Sequence, residues 1–180
     1  MFKKRSILFL VLSLVGGYFL LHIFDVALAA IFLVLWFDKV FLGMVSVVKY
    51  FGIELTTIAT ILLGITYGPL IGFVFALIVI PIMHGIKYLF LPLPPPEWPL
   101  FVPGPYNFVD ALGAAIAGFL ASYPILYILI PVLIVKDISY ATVDRLFFSK
   151  PPEVIYAIGN FIFNLVIIFQ FGNFFLEMIA

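Results

Sequence analysis

Few residues in this 180-residue chain have side chains that could do chemistry, and most of those stand in apolar surroundings. The two histidines, His22 and His84, are far apart and lack the His-Glu-x-x-His spacing of a zinc protease. With no cysteine, thiolate nucleophiles, thiolate metal ligands and disulfides are excluded. There is no cluster of aspartates that would hold a metal on a diphosphate. Asp110 is a lone carboxylate in an apolar stretch, where an aspartyl protease needs two. Asp137 and Asp144 are seven residues apart and so share a helical face, but Lys136 and Arg145 flank them, and a surface ion-pair network is the expectation. No enzyme, no metal and no cofactor is therefore expected.

Binding is the remaining chemistry. Polar groups are costly in lipid and are either paired or functional there. Asn160 and Asn164 lie one helical turn apart, where their amides can bond a ligand or a neighbouring helix. Asp110 falls in the first turn of its helix, where the helix dipole favours a carboxylate. Trp98 and Tyr106 suit a membrane–water interface, and Asn107 opens the helix that follows them. The candidate substrate contacts are thus Trp98, Tyr106, Asn107, Asp110, Asn160 and Asn164. His84, next to Lys87, is either an interfacial residue or a contact for an anionic group.

The elements that must position these groups are membrane helices. The chain is 66% hydrophobic and 10% charged, against roughly a quarter charged in soluble proteins. Its apolar runs are continuous, whereas barrel strands would alternate. The expected fold is all-α: one domain over residues 1–180, a polytopic bundle of about six transmembrane helices in the cell membrane. Zero formal net charge points away from nucleic acid. Lys3, Lys4 and Arg5 precede the first run and predict a cytoplasmic N-terminus. Ser6 to Phe24 is long enough to span. The Ala27-Leu28-Ala29 segment offers a signal-peptide reading, which the length of the run opposes. Whether Val26 to Val48 is a second span, or part of a loop after one long tilted helix, stays open.

Leu55 to Ile86 carries no charge and exceeds the roughly 20 residues of one span. Gly68-Pro69 near its middle predicts either two helices joined by a reversal or one kinked helix. Gly64, Gly68, Gly72 and Ala76 recur every fourth residue, as do Gly113 with Ala117 and Ala114 with Gly118, giving small-residue faces for packing or for docking a partner helix. The proline-rich stretch that follows, with seven prolines between 92 and 105, predicts a stiff loop. Leu93 to Tyr106 has no Lys or Arg, which suggests the outer side, where the loop either covers a binding site or merely connects two spans. A reversal at Tyr123-Pro124 would give six spans with both ends cytoplasmic. Its absence would put the C-terminus outside.

The stretch ELTTIATILLGITYGPLIGFVFALI, through Leu63, Gly64, Gly68, Pro69 and Gly72, resembles the second and third helices of the substrate-binding S components of energy-coupling factor (ECF) transporters. Asn107-Phe108, opening a helix after a long loop, is similar to riboflavin-type members. The alanine pair with which such proteins dock is missing from the first helix, where Ser13 and Gly17 stand at that spacing. The resemblance implies a vitamin or similar micronutrient captured from the outer side of the lipid bilayer. Its implied partners are a transmembrane coupling subunit and ATPases. The alternative is a structural or assembly protein whose glycine-rich faces bind partner helices and which has no ligand.

Overall fold

Asp25 makes the first turn. Helix α1 (Lys4–Phe24) stops just before it and α2 (Val26–Trp36) starts just after. The computed structural model describes residues 4–91, 93, 96 and 98–180, without the side chains of Lys4, Arg5, Ser46 and Phe90. Lys3 of the N-terminal cation cluster and Pro92, Pro94 and Pro95 of the proline-rich stretch lie outside the described residues. The Asp25 carboxylate accepts the Leu28 N–H at 3.1 Å, capping α2. Trp36 Nε1–H donates to Ser13 Oγ at 3.1 Å, and Gly17 lies against the Phe32 ring, so α1 and α2 are antiparallel. Val26–Met44 is therefore a pass of its own, completed by a wide turn of helix at Phe37–Phe41 and a tight one at Leu42–Met44. A short α3 (Ser46–Tyr50) follows.

Helix α4 (Thr56–Phe90) leaves helical geometry at Gly68, with φ 80° and ψ 175°. A positive φ of that kind favours glycine, and Pro69 has no N–H to continue the ladder. A Cβ added to Gly72 would stand 3.0 Å from Gly64 Cα, whereas eight residues of unbroken helix span about 12 Å. The chain therefore reverses at Gly68-Pro69. Gly64 and Gly72 face one another from two arms, which corrects the expectation that Gly64, Gly68, Gly72 and Ala76 line one face.

Helix α5 (Pro105–Phe119) is wedged against this hairpin. Gly64 abuts its backbone at Ala114 and Gly118, Gly118 lies on Gly68 and Pro69, and Gly113 meets Val132 and Thr60. Ala76 and Ala117 are fully buried. Gly64, Gly72, Gly113 and Gly118 thus pack inside the chain, and at Gly64, Gly72 and Gly118 the missing side chains let backbones meet; Gly68 has open space beside it.

Helix α6 (Ile125–Phe147) follows a real reversal at Tyr123-Pro124, and α7 (Val154–Ile179) completes the bundle. No strand occurs among the described residues. Five segments are long and apolar enough to cross a membrane: Ser6–Phe24, Val26–Met44, Thr56–Leu89, Ile125–Phe147 and Val154–Ile179. Exposed apolar side chains on α1 and α7, such as Leu12, Phe19, Ile162 and Phe169, give the bundle a lipid-compatible exterior. The first arm of α4, residues 56–67, is only about 18 Å long and α5 about 22 Å; each is shorter than the roughly 30 Å hydrocarbon core. Counting both, the chain traverses the bundle seven times, so its termini lie at opposite ends. The six-span layout with both ends together does not hold, because Val26–Met44 adds a pass.

One end of the bundle gathers the start of α1, the 37–55 connection, the proline-rich loop and the start of α7. The other holds Asp25, Gly68-Pro69 and Tyr123-Pro124. Every described Lys and Arg lies toward the first end or, for Lys136, at mid-helix. The N-terminus and the proline-rich loop share that end. A cytoplasmic N-terminus and an outward-facing loop, both expected from sequence, therefore exclude one another.

Candidate functional site

The site is built around Lys136, which α6 carries near its middle and which is 2% exposed. An ammonium at that depth is tolerated only with partners. Its Nζ donates to Glu54 Oε1, to Thr57 Oγ1 at 2.7 Å, and pairs with Asp110 Oδ1 at 3.0 Å. Tyr140, one turn further along α6, donates its hydroxyl to the same Asp110 oxygen at 2.8 Å. Lys39 lies 3.4 Å from Asp38 and 4.0 Å from Glu54. Asp38 itself accepts the Leu55 N–H at 2.7 Å and the Thr56 hydroxyl, tying the wide turn after α2 to the start of α4.

Two glycines place Glu54. Gly52 takes φ 66° and lies against the Tyr156 carbonyl and Asn160 N–H of α7, and Gly159 abuts the Phe51 carbonyl. A side chain at either position would push the 51–54 loop off α7. With the loop seated, Asn160 Nδ2 reaches Glu54 Oε1 at 3.3 Å. Burial works to raise the Glu54 carboxyl. The Lys136 and Lys39 charges and the hydrogen bond from Lys136 outweigh it and hold the group well below the usual carboxylate range.

Above this cluster opens a cavity of about 820 Å³, within the range of small-molecule sites. Its walls combine carboxylates, lysines and aromatic rings, among them Tyr50, Tyr88, Trp98, Phe101, Tyr140 and Tyr156. The proline-rich loop forms part of its rim. Phe101, at φ 63°, is held in a conformation non-glycine residues seldom adopt, and its ring lies on Gly85 of α4, where no Cβ intervenes.

The expected contacts divide. Trp98, Tyr106, Asn107 and Asp110 all line the cavity. Trp98 packs on Gly104, and Tyr106 donates to Asp144 and stacks on Phe148 with ring centroids 5.2 Å apart. Asn107 accepts the Gly104 N–H at 2.8 Å, so its side chain also secures the start of α5. Asp110 does not fall in the first turn as expected: α5 begins at Pro105, which places Asp110 in the second turn, where Lys136 and Tyr140 hold it in place of a cap. Asn160 and Asn164 are fully buried and do not line the cavity. Asn164 donates to Asn160, which supports Glu54, so the pair acts as glue between α7 and the loop.

Sequence reasoning missed Asp38, Lys39, Glu54, Lys136, Tyr140 and Tyr156 as one site. Lys136 and Asp144 do not belong to a surface network with Asp137 and Arg145; both are buried, with partners on other elements. The available signal was a charged residue inside an otherwise apolar span, which held for Asp38, Lys39 and Lys136 alike. Among the described residues no group of three or more His, Asp or Glu side chains is arranged to hold a metal ion.

Comparison with protein-family models, with curated proteins and with solved structures finds no match.

Proposed function

We propose that this chain is a membrane-embedded binding protein that holds a small organic molecule in the cavity above Lys136. The cavity itself carries the reading: about 820 Å³ of space lined by aromatic rings, over a floor whose charges are already paired and fixed. Preformed polar groups in an otherwise apolar pocket orient a ligand at low cost in reorganisation. The Lys and Arg distribution supports a mouth on the cytoplasmic side, since cations are retained there.

A second reading is that of an ECF-type S component, which would take a vitamin-like cargo from outside and act with a coupling subunit and ATPases. The Gly68-Pro69 hairpin clamped by α5 favours it, because the resemblance rests on those residues. Both readings require a ligand and differ in the side it enters from.

Native mass spectrometry of gently purified protein, with thermal shift against a metabolite and vitamin panel, tests binding. An empty protein that no compound stabilises refutes both readings. Single cysteines at Trp98 and Tyr123, in this cysteine-free chain, test the side. Labelling of position 98 only after permeabilisation, with 123 labelled in intact cells, supports the cytoplasmic mouth; the reverse pattern supports the S-component reading.

A further inference from the structure

Most of the basic groups around the cavity lie on one side of it. The wide turn after α2, α3 and the second arm of α4 bring Lys39, Lys49 and the His84 imidazole there, beside Asp38 and Glu54, which Lys39 and Lys136 already pair, and Lys87 stands behind Gly43. Lys87 is 2% exposed, and its Nζ donates to the Gly43 carbonyl at 3.1 Å. Among the described residues no carboxylate lies within ion-pair distance of it. Helices α5 and α6 and the residues leading into α7 bring Asp110, Asp137, Asp144 and Glu153, with Lys150 among them. Asp110 is taken by Lys136 and Tyr140, and Asp144 by Tyr106. Asp137 is different: its Oδ1 is buried with no hydrogen-bond partner among the described residues. A buried acceptor left unpaired is destabilising, and a ligand donor that reached it would remove that cost.

Beside the cavity, an apolar groove of about 440 Å³ runs between α5 and α6, lined by Phe108, Leu112, Val143 and Phe147. Trp98 and Pro105 border both spaces. A molecule with a charged head and an apolar body matches the two together.

Building on the binding reading above, we infer that the ligand is a zwitterion with an apolar body, its amine directed to the Asp137 side and its acid group to the Lys49, His84 and Lys87 side. Such a head group occurs both in free amino-acid derivatives and in ethanolamine phospholipids.

The test titrates the full chain in detergent with two probe series. The first is leucyl-phenylalanine, its N-acetyl form, which keeps only the acid, and its C-terminal amide, which keeps only the amine. The second is lysophosphatidylethanolamine against its N-acetylated form. The inference expects the zwitterion of at least one series to bind tenfold or more tighter than its single-charge analogues, and the series that responds identifies the source. Asp137→Asn should abolish the preference for a free amine while leaving the affinity for the N-acetyl form unchanged. Lys49→Gln, on an exposed short helix, should weaken the acid-bearing probes and leave the amide unaffected. Single-charge analogues that bind as tightly as the zwitterion in both series overturn the inference and leave the binding reading standing. So does failure of both series in protein that retains some other molecule by native mass spectrometry. Failure of both series in protein that is also empty overturns the binding reading as well.

Discussion

Replacing Lys136 by methionine should be the most damaging single change in the bundle. The five charges of the cluster are Asp38, Glu54 and Asp110 against Lys39 and Lys136, a net of −1 with both lysines present. Lys136→Met takes this to −2 and leaves Asp110, 2% exposed, with no cation within ion-pair distance among the described residues. Removing one partner of a buried pair costs about 3–5 kcal/mol. At about 2–4 °C per kcal/mol for a chain of this size, the midpoint should fall by about 6–20 °C. Asp110→Asn moves the cluster the other way, to neutrality, and keeps the Lys136–Glu54 pair; its loss should stay near 1 kcal/mol. The triple variant Lys136→Met, Glu54→Gln, Asp110→Asn removes the stranded charges together and should regain more than half of the single variant's loss. Thermal unfolding in one detergent, followed by intrinsic tryptophan fluorescence, orders the four proteins. A Lys136→Met protein that melts with the parent, or a triple variant less stable than the single one, would refute the account of Lys136 as the balancing charge of a desolvated site.

Other expectations follow from the packing. Gly68→Ala has free space but a positive φ, so it should cost about 1–3 kcal/mol through the backbone alone. Gly64→Ala collides with the α5 backbone and should be worse than Gly68→Ala in the same melting assay. Gly159→Ala, which collides with the Phe51 carbonyl, should displace Glu54 and lower ligand affinity by at least tenfold, with α7 still helical by circular dichroism. At the far end, Tyr67 donates to Asp25 at 2.7 Å, and that bond, with the Leu28 N–H, holds the Asp25 carboxyl below its ordinary value of 3.8. A depressed carboxylate stabilises the fold above the unfolded value and ceases to as pH falls through the folded one. The stability gap between parent and Tyr67→Phe should therefore be constant near neutrality and narrow below about pH 4; a gap that widens in acid would refute the linkage.

The amino-acid sequence determined the solvent of this protein and the character of its elements. Long uncharged runs can satisfy their backbone only as helices in lipid, so an all-α membrane bundle follows from composition and run length. Gly68-Pro69 marked the one position where an uncharged stretch too long for one span had to break. Sequence could not choose between kink and reversal there, because proline permits both. The contact between Gly64 and Gly72 chose, since only a reversal brings their backbones together.

The site was half legible for a similar reason. Tyr106, Asn107 and Asp110 were found because a loop and a helix start place polar residues locally. Glu54, Lys136 and Asp38 come from segments up to 98 positions apart, the span from Asp38 to Lys136, and no local pattern pairs them. Lys136 beside Asp137 reads as a surface residue when only its neighbours in sequence are considered. What made it the floor of a cavity was the tertiary seating of the 51–54 loop on α7, where Gly52 and Gly159 let backbones touch and carry a carboxylate into the membrane-spanning bundle. Partners of a buried charge are set by which helices meet, and that is decided by side chains too small to be seen in a hydropathy pattern.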